Sequence, residues 1–288
     1  MKLNYRSVWI SDVHLGTRGC KAEYLLDFLN HIQCERLYLV GDIIDFWKLK
    51  NGFHWPKLHN DIVRKVMAMG AQGTEVVYIP GNHDEVFRGY IDTVFNGIVL
   101  KERAIHRTAD GREFLVLHGD EFDGVVCSSR WLAIIGAEAY EFLIAVNRWF
   151  NVGRRFLGFP YWSMSAYIKH KVKNAVDFIF DFERALLHAA EDQGLDGVIC
   201  GHIHHAAIHE NERGIRYCNT GDWVESCTAL AETADGTLSI IHWVEDSARL
   251  LEDPIRENSP DHGRLAPANQ RRRHNTQHCD SPVAGIRS

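Results

Sequence analysis

YIPGNHDEVF, residues 78–87, runs from an apolar, strand-like segment into a glycine followed by three polar side chains, Asn82, His83 and Asp84. Alone it reads as a surface turn, because Gly, Asn and Asp are residues that turns favour. The flanking sequence does the same thing four more times. Asp12-Val13-His14 follows SVWIS (7–11), and Gly41-Asp42 follows RLYLV (36–40), with Asp45 three residues on. His118 ends EFLVLH (113–118) and is followed by Gly119-Asp120. His202 and His204 flank Ile203 after DGVIC (196–200).

Five apolar runs therefore end in groups able to hold a metal. In extended chain, residues i and i+2 point to one side, so Asp12 with His14, and His202 with His204, can each reach a single ion. Open α/β sheets build their sites at the carboxyl ends of their strands, which makes five unrelated turns a poor account. The set Asp12, His14, Asp42, Asn82, His118, His202 and His204 supplies carboxylates, an amide oxygen and imidazoles, with no thiolate. That mixture suits Mn²⁺, Fe²⁺ or Zn²⁺ better than Ca²⁺ or Mg²⁺. It is too large for one catalytic ion and suits two divalent ions roughly 3.5–4 Å apart. One ligand is then shared, and Asp42, whose carboxylate has two oxygens, is the candidate.

Around these motifs the front of the chain alternates strand and helix. Residues 21–32 carry Leu25, Leu26, Phe28 and Leu29 at helical spacing. A second helix is expected from about 56 to 70, then a strand over 75–79. After 205 the pattern becomes short strands, at 206–210, 215–219, 227–232 and 238–243, with a tight turn at Asp235-Gly236. This predicts an α/β domain over 1–252 with a mixed, two-sheet core. A helical segment over about 124–192 is expected to be an insertion, and the proline- and arginine-bearing tail 253–288 to be disordered.

The 288 residues are 45% hydrophobic and 24% charged, ordinary for a soluble globular protein. A net charge of -6 gives no reason to expect nucleic-acid binding. No apolar run approaches the ~18 residues of a membrane helix, and MKLNYRSVWISD enters strand-like sequence without the pattern of a secretory leader. Cysteines 20, 34, 127, 200, 218, 227 and 279 have no metal-type spacing and read as reduced thiols of a cytoplasmic protein.

SDVHLG, VGDIIDFW, PGNHDE, VLHGDEFD and CGHIHHA, in this order, resemble the calcineurin-like metallophosphoesterase superfamily. The resemblance implies a double-sheet αββα sandwich with a helical insertion acting as a cap. It also implies that Asp12, His14, Asp42 and His204 hold one ion, and Asp42, Asn82, His118 and His202 the other. His83 is then a catalytic residue rather than a ligand, contacting the phosphoryl oxygen or aiding the leaving group, with Asp84 orienting it. Asp45 and Asp120 are either partners of the ligand histidines or simple turn caps.

Within the superfamily, the chain resembles the UDP-2,3-diacylglucosamine pyrophosphatases, which release UMP in lipid A synthesis. It has His83 where that group has Arg, and GHIHHA where that group has GHTHRP. The implied enzyme hydrolyses a phosphate ester or pyrophosphate using two metal ions, Mn²⁺ first among them. A phosphodiesterase or phosphatase for a soluble substrate is the alternative, and a non-catalytic scaffold of the same fold is a third reading.

Residues 142–173 contain Arg148, Arg154, Arg155, Lys169, Lys171 and Lys173, interleaved with aromatics and without an acid. Such composition serves a peripheral membrane contact or acyl pocket, a cap for nucleotide phosphates, or a plain helical hairpin.

Overall fold

The computed structural model describes residues 2–123 and 164–252, with side chains in the second part from 178 onward. Most of the expected insertion and the whole tail 253–288 lie outside the described residues.

β1 (Leu3–Ile10) opens the chain. It starts earlier than its apolar run because Leu3 and Tyr5 are buried while Asn4 and Arg6 face outward, an alternation that ordinary edge-to-core strands carry. α1 (Ala22–His31) leads to β2 (Ile32–Val40), which pairs parallel to β1. A short α2 (Phe46–Asn51) and then α3 (Lys57–Ala71) lead to β3 (Glu75–Ile79), parallel to β2. Short strands β4 (Val94–Phe95), β5 (Ile98–Leu100), β6 (Ala104–Arg107) and β7 (Glu113–Val116) follow. A long helix, Met164–Asp192, precedes β8 (Gly197–Cys200), β9 (Ala207–Glu210), β10 (Arg216–Asn219), β11 (Thr228–Glu232) and β12 (Leu238–His242).

The strands form a seven-stranded sheet, β12-β11-β1-β2-β3-β5-β4, and a five-stranded sheet, β6-β7-β8-β10-β9. Side-chain alternation sorts them into layers. Trp9, Tyr38, Val40, Val77 and Ile79 of the first sheet meet Phe114, Val116, Ile199 and Cys218 of the second. The residues between them face the other way. Val8, Ile10, Leu37, Leu39 and Val76 pack on Leu25, Phe28, Ile62 and Val66 of α1 and α3. Leu115, Val198 and Cys200 pack on Phe182, Leu186 and Ala190 of the long helix. The result is helix, sheet, sheet, helix, the expected αββα sandwich. Each fully buried Leu or Phe in these layers contributes roughly 1.5–3 kcal/mol. The parallel order β1-β2-β3, and β7 parallel to β8, bring the five motif-bearing strand ends to one edge of the sandwich.

Candidate metal centre

The loops after β1 and β2 are zipped together. The Asp12 amide donates to the Gly41 carbonyl at 3.1 Å, His14 to Asp42 at 2.9 Å, and Leu15 to Ile43 at 2.9 Å. Asp12, His14, Asp42, His202 and His204 all take positive φ, from 50° to 73°. Asp and His are among the residues that tolerate this region, at a cost on the order of 1 kcal/mol each. These left-handed turns swing the ligand side chains over the strand ends. Two glycines keep the space open. A Cβ on Gly41 would stand 2.2 Å from His118 Nδ1, and one on Gly81 would stand 2.4 Å from Asp42 Oδ1.

Three groupings result, one of them His14 with Asp45 and His83. Asp12, His14 and His204 converge, with His204 Nε2 3.1 Å from Asp12 Oδ1 and 3.4 Å from His14 Nε2. Asp12, Asp42 and His118 converge next to them. Asp42 belongs to both sides, since its Oδ2 lies 3.8 Å from His14 Nε2 and its Oδ1 3.5 Å from His118 Nε2. The fully buried Asp42 is held by the His83 amide, which donates to Oδ1 at 2.8 Å. Asp12 Oδ2 accepts from Ser11 Oγ at 2.6 Å and from the His202 amide at 2.8 Å, leaving Oδ1 toward the histidines. His118 Nδ1 donates to the Val40 carbonyl at 3.0 Å, which turns Nε2 toward Asp42.

The charges fit a cation site. Burial opposes ionisation of Asp12, but His204, His118 and His14 hold its carboxyl well below the usual range. Burial likewise opposes Asp42, and His118 brings it down to about 2. His118 is raised to about 10 because Asp42, then Asp12 and Asp120, outweigh the lowering effect of burial. The same carboxylate field would hold a divalent ion. Asn82 Oδ1 is buried with no hydrogen-bond partner among the described residues, a cost that a coordinated cation would remove.

His202 stands beside His118, ring centroids 5.0 Å apart, with its Nε2 2.6 Å from Asp123 Oδ1. It falls in none of these groupings, and Asp123 closes the fourth motif, VLHGDEFD.

The expected role of Asp84 is corrected. Asp84 does not orient the His83 ring. It is buried beneath the loops and accepts from the amides of Gly81 at 2.6 Å, Ile43 at 2.8 Å, and Asp42 and Ile44 at 3.3 Å, and from the Tyr78 hydroxyl. Burial, then the charge of Asp42, hold its pKa above the ordinary carboxylate value. Asp45 takes the orienting place, with Oδ2 3.0 Å from His83 Nδ1 and 3.1 Å from His14 Nδ1. Its Oδ1 accepts from the Lys48 amide at 2.8 Å and caps α2, so both readings of Asp45 hold. Asp120 instead pairs with Arg88 at 2.6 Å. Trp47, on α2, lies against His83 with ring centroids 4.2 Å apart.

A family model described as calcineurin-like phosphoesterase matches residues 5–206, most of the described fold. The chain belongs to the calcineurin-like phosphoesterase family. As a calcineurin-like phosphoesterase it is a metal-dependent hydrolase of phosphoester bonds. It is 27% identical over 260 residues to a UDP-2,3-diacylglucosamine hydrolase of Xanthomonas campestris, covering 80% of this chain and 96% of that one. It is 26% identical over 238 residues to the protein of the same description from Haemophilus influenzae, covering 78% and 93%. A solved dimetal phosphatase from Danio rerio is similar at TM-score 0.40 and 11% identity, covering 84% of this chain and 100% of that one. No helix among the described residues is long and apolar enough to cross a membrane.

Proposed function

We propose that this calcineurin-like phosphoesterase uses two divalent ions to cleave the pyrophosphate of a nucleotide-linked glycolipid of the UDP-2,3-diacylglucosamine type, releasing UMP for lipid A biosynthesis. The observation that carries the two-ion reading is Asp42, set between His14 on one side and His118 on the other. Asp12, His14, Asp42 and His204 would hold one ion, and Asp42, Asn82, His118 and His202 the second. A thiolate-free set of oxygens and imidazoles favours Mn²⁺, with Fe²⁺ or Zn²⁺ as close competitors. When bound, such ions supply an activated water and neutralise phosphoryl charge. The enzyme would work in the cytoplasm, at the inner membrane face, with the basic aromatic stretch 142–173 meeting the lipid.

The chain's own residues do the rest. His83 is positioned through Nδ1 by Asp45 and keeps Nε2 beside the centre, 3.9 Å from Asp42 Oδ2. From there it donates a hydrogen bond to a phosphoryl oxygen or a proton to the departing oxygen. Trp47 covers one ring face and restricts water on that side.

The test is UMP release from UDP-2,3-diacylglucosamine by Mn²⁺-loaded protein against a chelated control. Metal-dependent release supports the proposal. A second reading is favoured by His83 and GHIHHA, which depart from the pattern that this group resembles. It is a phosphodiesterase or phosphatase for another nucleotide or a soluble phosphoester. Turnover of bis(p-nitrophenyl) phosphate without UMP release would select it, and metal binding without any turnover would select a scaffold.

A further inference from the structure

The grouping of His14, Asp45 and His83 brings one ligand atom from each residue within 4.8 Å of the other two. Asp45 Oδ2 stands 3.1 Å from His14 Nδ1 and 3.0 Å from His83 Nδ1. The two rings meet edge to face with centroids 4.7 Å apart, and both Nδ1 atoms converge on the one oxygen. Asp45 is fixed from behind, since its Oδ1 accepts from the Lys48 amide. His14 and Asp45 are buried, while the His83 side chain keeps 14% of its surface exposed.

Two imidazoles and a carboxylate, with a fourth position for water, make a zinc-type donor set. Zinc bonds of about 2.0–2.2 Å to such donors put tetrahedral ligand atoms roughly 3.3–3.5 Å apart. The contacts of 3.0 and 3.1 Å would open only slightly to admit an ion. His83 Nδ1 supplies a second observation. It is buried and makes no aligned hydrogen bond among the described residues, although Asp45 is close. A buried polar nitrogen in that state calls for a partner, and an ion beside Asp45 Oδ2 would be one.

His14 decides what such an ion does. A neutral imidazole carries one proton on two nitrogens. With that proton on Nδ1 and donated to Asp45, Nε2 is left for the first ion, beside His204 Nε2 at 3.4 Å and Asp42 Oδ2 at 3.8 Å. An ion on Nδ1 moves the proton to Nε2 and withdraws His14 from the first site, which keeps Asp12, Asp42 and His204. The same ion takes His83 Nδ1, whose proton leaves to solvent. His83 is then neutral, with its remaining proton on Nε2, and no longer an imidazolium acid.

We propose that His14, Asp45 and His83 form a third divalent-metal site, inhibitory and selective for Zn²⁺, which competes with the first ion for His14. Zn²⁺ binds nitrogen donors more tightly than Mn²⁺. The proposal rests on the reading that His14 holds the first ion.

Equilibrium dialysis of chelated protein against Zn²⁺, followed by elemental analysis, tests it. The native protein should take up two equivalents tightly and a third only at excess Zn²⁺. His83→Ala and His83→Arg should keep the tight equivalents and lose the weak one, because neither new side chain offers a lone pair. The tight equivalents report on the two-ion reading and the weak one on this site. One tight ion with one weak, His83-dependent ion would overturn the two-ion reading and support this proposal. No weak equivalent in the native protein, or one that survives in both variants, overturns it. Turnover of bis(p-nitrophenyl) phosphate by the Zn²⁺-loaded native protein should fall about tenfold or more as the weak equivalent fills. Turnover that holds while it fills overturns the inhibitory role.

Discussion

His83 Nδ1 lies 3.0 Å from Asp45 Oδ2, on a carboxylate whose other oxygen caps α2. The contact fixes the ring and leaves Nε2 toward the metal centre. Hydrogen bonds from His14 and the Lys48 amide, with the close His83 imidazole, overcome burial and hold Asp45 below the usual carboxylate range. The carboxylate is thus ionised at neutral pH.

Asp45→Asn should therefore lower kcat about 100-fold, within the range that a positioned acid or base contributes. Because Asp45 also touches His14, metal affinity should fall up to about tenfold. Kinetics at saturating metal separate the two effects. Unchanged kcat there would mean that His83 does not depend on Asp45.

Asp42→Asn and His83→Ala should behave differently. The first removes the group common to both sides of the centre, and metal content of the purified variant should drop together with activity. The second should keep its metal and lose about 100-fold to 10,000-fold in turnover. Elemental analysis beside an assay decides it, and loss of metal from His83→Ala would make His83 a ligand.

Asp84→Asn tests the corrected role. Asp84 ties the loop after β2 to the loop after β3 through the amides of Asp42, Ile43 and Ile44, and accepts as well from the Gly81 amide of its own loop and the Tyr78 hydroxyl. An amide has one acceptor oxygen instead of two, so at least one buried amide loses its partner. A destabilisation of about 2–3 kcal/mol is expected, with weaker metal binding as the loops loosen. Urea unfolding measures it. A variant of native stability that only loses turnover would return Asp84 to a catalytic role.

Much of this centre was legible in the sequence because it depends on local order. A buried strand is an apolar run, and its end is where a polar motif interrupts it. That placed β3 at residues 75–79 and brought Asp12, His14, Asp42, His118 and His204 together. β4, β5 and β6 left no such signal, being two to four residues long with at most one buried side chain each. The helix Trp243–Glu252 was missed because the apolar run of β12 continues into Trp243, which the structure uses to cover α1. The partners of His83 were missed for a different reason. Asp84 is adjacent in sequence, but its side chain turns beneath the loop, and only the parallel pairing of β2 with β3 brings Asp45 alongside.

Glu232, far from these ligands in sequence, gives the pH prediction. It is fully buried between the sheets, with His106 Nε2 at 2.9 Å, Arg6 Nη1 at 2.6 Å and the Ala109 amide at 2.8 Å. His106 is in turn 3.1 Å from the Tyr38 hydroxyl. Burial raises the pKa of Glu232, but hydrogen bonds from His106 and the Ala109 amide outweigh it, leaving it below 4.5 in the folded protein. A depressed carboxylate contributes stability that is complete above the unfolded value, near 4.5, and is lost as pH falls through the folded value. Glu232→Gln should cost about 2–3 kcal/mol at pH 7, because buried donors lose a charged acceptor. The gap between native and variant should narrow as pH drops below about 4.5, where the unfolded glutamate takes up a proton, and close as pH falls through the lower folded value. Denaturant midpoints at pH 7, 5 and 3.5 measure the gap. One that stays constant across that range would show that the Glu232 charge does not hold the two sheets together.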